Sequence, residues 1–304
     1  IVLGETTAGS ITIKTVGGNV SLGDNTVLNG TTVSAESVDL NKTVYSNDDG
    51  NWNTVVGTEK LDTIEGSVTL GNNTTVKGNS TLTADDNIAI GTNSVITGNV
   101  RNNGTLLGNG TIEGFLTNSG LTNVGAGQTL SAKKTFNTDR LAISGTLKSD
   151  VQNKAGATTE IRGGTIDGAV SNIGTLSGAG SVTGTLTNTG TLTAIGRLEL
   201  GKLVNQTTLN ISKGNTIAST AMAANSGNIS LGGTLDGGLS NNLAGTLQLQ
   251  GGEMTGLLIN NAMAGWAVVV GIALRIVILR VWGERGRSPM EVMAAGFIAG
   301  DALY

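Results

Sequence analysis

The run from Gly164 to Leu192 constrains this chain more than any other stretch. Three triplets of Gly, Thr and Leu or Ile begin at Gly164, Gly174 and Gly184, ten residues apart, and a fourth begins at Gly190. Within each, Thr alternates with an aliphatic residue, the period of a half-buried strand with polar side chains outward. Gly and Asn between them supply the positive φ angles that short turns need. One copy is too small to bury its own aliphatic side chains. A stack of copies is not.

The rest of the chain agrees with a stack. It has 304 residues with 48 Gly, one Pro, and neither Cys nor His. Charged residues are 13% and hydrophobic residues 38%, which separates it from charge-rich disordered chains. High Gly without a three-residue period excludes collagen. Short alternating segments fill residues 1–40, at Ser10-Ile-Thr-Ile-Lys, Asn19-Val-Ser-Leu-Gly, Thr26-Val-Leu-Asn-Gly and Thr31-Thr-Val-Ser. Residues 36–66, with Tyr45, Trp52 and Asp48-Asp49, are less regular and predict an excursion from the stack. Regular spacing resumes at Gly66, and the Gly-Thr-Leu idiom recurs at Gly104, Gly110, Gly145, Gly233 and Gly245.

Summed intervals near twenty, as from Gly145 to Gly164 and Gly164 to Gly184, predict a parallel β-helix with one turn per repeat. Residues 1–260 would then hold on the order of thirteen turns in a rod near 60 Å long, at about 4.8 Å per turn. Stacked Asn and Thr would add side-chain ladders at the corners. Ala218-Ser-Thr-Ala-Met-Ala-Ala-Asn225 predicts a short helical excursion.

At Asn261 the composition changes. Residues 262–274 carry no charge, and after Arg275 the apolar run continues to Trp282. Residues 262–282 match the length of a membrane span, with Trp266 and Trp282 at its two interfaces. Arg280, Arg285 and Arg287 place that flank on the cytoplasmic side. Pro289, after a Ser288 cap, predicts a second helix over 290–304. The expected organisation is a β-solenoid domain over 1–260 and an apolar helical tail over 261–304.

Composition removes most chemistries. Without His and Cys there is no Ser-His-Asp triad, no Cys-His pair and almost no route to zinc. A net charge of −4 argues against nucleic acid. Asp39, Asp48, Asp49 and Asn51 offer oxygen ligands but lack any calcium-loop spacing, and Asp85-Asp86 reads the same way. Sequons at Asn29, Asn41, Asn73 and Asn103 follow from the abundance of Asn and Thr. A polysaccharide-active β-helix enzyme would need clustered carboxylates and aromatic platforms, and aromatics are only 3%. No catalytic, cofactor-binding or metal-binding residue is therefore assigned.

Residues 100–260, through runs such as Gly184-Thr-Leu-Thr-Asn-Thr-Gly-Thr-Leu192, resemble the passenger regions of bacterial autotransporters and filamentous-haemagglutinin-like adhesins. Asn87-Ile-Ala-Ile-Gly-Thr-Asn-Ser-Val-Ile-Thr-Gly98 resembles a trimeric-adhesin head repeat. The tail, through Leu274–Arg285 and Ala294–Leu303, is similar to membrane segments of oligopeptide-transporter-type proteins. These resemblances imply an all-β, right-handed parallel β-helix followed by one or two apolar helices. They imply an exported adhesin-like or structural protein, at the outer membrane or secreted, with no enzymatic activity. Its partners would be molecules of host or neighbouring cells, with the membrane engaged by the tail. The alternatives are a polysaccharide-active enzyme and a fragment of a membrane transporter fused to a repeat region.

Overall fold

The computed structural model describes residues 86–242 and 244–260, preceded by the strands that run from Val2–Leu3 to Thr81–Ala84 as backbone. All strands join in one continuous parallel sheet that coils on itself, a β-solenoid. About nine turns lie between Asn102 and Asn260.

Each turn has three faces, and sequence alternation sets what each buries. On the first face, Ile88, Leu106, Thr122, Leu141, Thr159, Leu176, Leu192, Leu209 and Ile229 succeed one another turn by turn, all essentially without exposure. The second face stacks Leu147, Ile166, Val182 and Leu200. The third stacks Leu116, Thr135, Val151, Val170, Leu186 and Leu203, along with the asparagines described below. At about 1.5–3 kcal/mol for each buried aliphatic side chain, this column is the main source of stability. Each turn depends on its neighbours, because a single turn encloses nothing.

The corners explain the irregular spacing of the sequence. Strand Thr175–Asn188 passes through all three faces, and its register with the next turn slips at Gly178/Gly180 and Val182/Thr185, where the chain bends. Other turns carry extra residues at one corner. Residues 125–128 form such an insertion, closed by the Gln128 amide donating to the Gly125 carbonyl at 3.0 Å. Residues 154–157 form another, with Gly156 at φ 81°. Equivalent residues are therefore 16–20 positions apart rather than an even twenty. Gly164, Gly174 and Gly184 turn out to lead into three different faces, Gly164 and Gly184 from within the strands Thr158–Asp167 and Thr175–Asn188. The residue one turn beyond Gly174 is Gly190, where a Cβ would run into the Gly174 carbonyl oxygen.

Asparagine holds the turns in register. Asn102, Asn118, Asn137, Asn153, Asn172, Asn188, Asn205, Asn225 and Asn241 end successive third-face strands, buried inside the coil. Each Nδ2 donates to the Oδ1 of the next, at 2.6–2.8 Å throughout. Many also donate to a backbone carbonyl of the following turn, as Asn172 does to Thr191 at 2.9 Å. The ladder begins where Ala84, the register partner of Asn102 in the preceding turn, brings no donor, and the Asn102 Oδ1 is accordingly left without a bond. The expected corner ladder is thus asparagine alone on this column, with Thr122 bonding into it at Asn118 Oδ1.

Two expectations change. The segment 218–225 is not helical: Thr216–Ser219 and Ala223–Asn225 are strands that pair with Thr234–Asp236 and Leu239–Asn241. Ala223 is inward and fully buried, with Leu239 as its register partner in the next turn. The excursion over 36–66 also narrows, since Ser37–Leu40, Thr54–Gly57 and Lys60–Thr63 stay in the stack. Residues 41–53, with Asp48, Asp49 and Asn51, lie outside the described residues, as does the whole tail 261–304. Among the described residues no helix is long and apolar enough to cross a membrane.

Candidate functional site

Among the described residues, single apolar side chains such as Ile195, Leu249 and Leu257 face outward, but aromatic rings and lysines gather at one place. Strand Thr105–Asn118 turns its second corner through Glu113, Gly114 and Phe115, three outward residues in a row between buried Ile112 and Leu116. Gly114 is needed there, since a Cβ would meet the Gly98 carbonyl oxygen. The Phe115 amide donates to Asn99 Oδ1 at 2.9 Å, which fixes the ring's position on the corner. One turn on, strand Thr129–Asn137 bends at the same corner, its register shifting between Ser131 and Lys134. The bend points Lys133 and Lys134 outward together, and alternation then points Phe136 outward.

These side chains converge. The Phe115 and Phe136 rings meet edge to face, centroids 5.9 Å apart at 65°. Lys133 Nζ lies 5.5 Å from the Phe115 centroid, and Lys134 Nζ 5.2 Å from that of Phe136. Lys154, at the inserted corner of the following turn, brings its Nζ to 5.9 Å from Phe136. Each such contact is worth about 0.5–1 kcal/mol at an exposed site. Phe115 is 40% exposed. Asp150 is the register partner of Lys134, and Glu113 lies two residues before Phe115; Asp150 Oδ1 accepts from the Ala169 amide at 2.8 Å. No ion pair among the described residues includes Lys133, Lys134 or Lys154.

The arginines behave differently. Arg140 and Arg162 both bond Glu160, the former at 3.0 Å, and Arg197 bridges Glu199 and Asp236 at 2.9 and 3.1 Å. Burial pushes the Glu160 carboxyl up, but the bonds and charges of Arg140 and Arg162 outweigh it and hold it below its ordinary value. A depressed folded-state value contributes stability above the ordinary glutamate range and loses it as pH falls through the folded value. Glu160→Gln is therefore expected to be slightly less stable than wild type at pH 7, by less than about 1 kcal/mol. Urea titrations should show that difference vanishing in acid.

Two of the few aromatic rings of the chain meet at this corner. Phe115 and Phe136 are 21 residues apart, so only the fold reveals that they touch; the adjacent Lys133-Lys134, unusual in this Lys-poor chain, was the visible hint. Asp86 is exposed, its backbone carbonyl accepting from Thr105, and among the described residues no group of three acidic side chains is placed to hold a metal ion. The patch offers two apolar ring edges and three ammonium groups, which equips it to hold an anion-bearing surface. No family model, curated protein or solved structure matches the chain.

Proposed function

We propose that this chain is a non-enzymatic, exported β-solenoid, an adhesin-like or structural passenger displayed on or shed from a bacterial surface. The asparagine ladder carries the reading. Nearly every turn places a buried asparagine inside the coil and uses it to bind the next turn, which favours length and stiffness. Those are the properties of a stalk or a display rod, whose outer faces meet molecules of host or neighbouring cells. The winding belongs to the same proposal and is right-handed, the hand that parallel crossovers overwhelmingly take. In this scheme residues 262–282 tether the rod to a membrane.

The test is cell fractionation with protease shaving of intact cells. The rod should be cleaved or released by external protease. A product found wholly in the cytosol and protected from protease would overturn the proposal.

A further inference from the structure

We infer that the Phe115–Phe136 patch binds an acidic polysaccharide, one whose sugar rings each carry a single carboxylate. The inference deepens the adhesive reading above by naming what the rod would grip.

Three observations favour this chemistry. First, the patch joins apolar and cationic groups at one place: two rings 5.9 Å apart, with three lysine nitrogens within 5.9 Å of a ring centroid. The C–H face of a sugar ring packs against an aromatic ring, while a carboxylate on the same sugar draws an ammonium group. Second, the cations are spaced along the rod. Phe115 belongs to one turn, Lys133, Lys134 and Phe136 to the next, and Lys154 to the corner that closes the third. With turns about 4.8 Å apart, the groups extend over roughly 10 Å along the axis, a length that a short run of sugar rings covers. Third, the charge is limited. Double-stranded DNA presents one negative charge per about 1.7 Å, far denser than these lysines. Glu113 and Asp150 beside the patch, on a chain of net charge −4, repel such a polymer while tolerating one carboxylate per sugar.

The lysines are available for this role. Arg140, Arg162 and Arg197 are bound to carboxylates, whereas Lys133, Lys134 and Lys154 spend their charge on ring faces in an exposed setting. An arriving carboxylate competes only with weak contacts.

The experiment is a binding titration of the full chain with oligogalacturonate, beside neutral dextran, single-stranded DNA and phosphatidylserine vesicles. Oligogalacturonate should bind, and dextran should not. Phe136→Ala, with all lysines intact, should weaken binding at least tenfold. The triple variant Lys133→Gln, Lys134→Gln, Lys154→Gln should weaken it similarly and flatten its salt dependence, while Lys213→Gln changes nothing. These positions are outward, and an unchanged far-ultraviolet circular dichroism spectrum confirms that each variant keeps the coil. Absence of oligogalacturonate binding, equal affinity for DNA or vesicles, or binding indifferent to Phe136 would overturn the inference. Such a failure leaves protease shaving to decide the surface role by itself, so the two proposals fall separately.

Discussion

Asn172→Asp should make the stability of this chain steeply dependent on pH. The native Nδ2 donates to Asn188 Oδ1 at 2.7 Å and to the Thr191 carbonyl at 2.9 Å, so the introduced carboxyl faces two acceptors in a fully buried site. Both burial and the facing oxygens oppose its ionisation, raising its folded-state pKa above the unfolded value of about 3.9. Below that value the carboxyl is neutral in both states and can still donate one proton to Asn188, so the loss is about one hydrogen bond, near 1 kcal/mol. Above it the unfolded chain ionises while the folded chain does not. Stability relative to wild type then falls by about 1.4 kcal/mol per pH unit until the folded pKa is reached, up to about 4 kcal/mol at pH 7. Urea midpoints at pH 4 and pH 7 measure this. Asn172→Ala is the control: it removes the donor to Asn188 Oδ1 and the Thr191 carbonyl, while the Asn153 amide keeps its bond to the Thr175 carbonyl, costing about 1–3 kcal/mol for each group left unsatisfied, with no dependence on pH.

Gly178→Ala is the second large effect. Gly178 has φ 134°, a conformation that L side chains rarely adopt, and a Cβ there would meet the backbone of Ile161 in the turn before. That neighbour is main chain and cannot rotate away. Relief requires the turns to part, and in a solenoid each turn is held only by its two neighbours. A loss of about 3–5 kcal/mol is expected, with the unfolding transition splitting as the segments before and after the defect uncouple. Hydrogen exchange should show the protection of Thr158–Asp167 and Thr175–Asn188 falling first. Unchanged protection across that boundary would contradict the packing described.

The alternation of Thr with Leu or Ile made the strands legible, since it states directly which side chains face inward. The period was harder to see. Gly164, Gly174 and Gly184 look like successive repeats, yet they occupy three corners of the coil, and the turn-to-turn relation runs from Asn172 to Asn188 and from Gly174 to Gly190. Insertions at residues 125–128 and 154–157 hide the asparagine column, because its spacing runs 16, 19, 16 and 19 from Asn102 to Asn172 and then 16, 17, 20 and 16 to Asn241. Thr122 and Thr159 add to the concealment: both occupy inward positions where an aliphatic residue is the rule, and read as outward in a pattern of polar and apolar residues. The Phe115–Phe136 patch was hidden for a related reason. Composition counts aromatics over the whole chain, but the coil gathers two of them, and three lysines, onto adjacent turns. The Ala218–Asn225 stretch misled in the opposite sense, since alanine favours helix in isolation and strand pairing with the neighbouring turns overrode that preference.

The in-register coil itself is tested most directly by distances along its axis. Thr117, Val204 and Ser240 occupy equivalent outward positions on the third face, between inward residues of the strands that contribute to the asparagine column. The chain has no cysteine, so pairs of introduced cysteines take spin labels cleanly. Thr117 and Val204 are five turns apart, and Thr117 and Ser240 seven. At about 4.8 Å per turn, electron–electron double resonance should give narrow distributions near 24 Å and 34 Å. Broad distributions, or two distances that do not grow in the ratio of the turns, would contradict the solenoid.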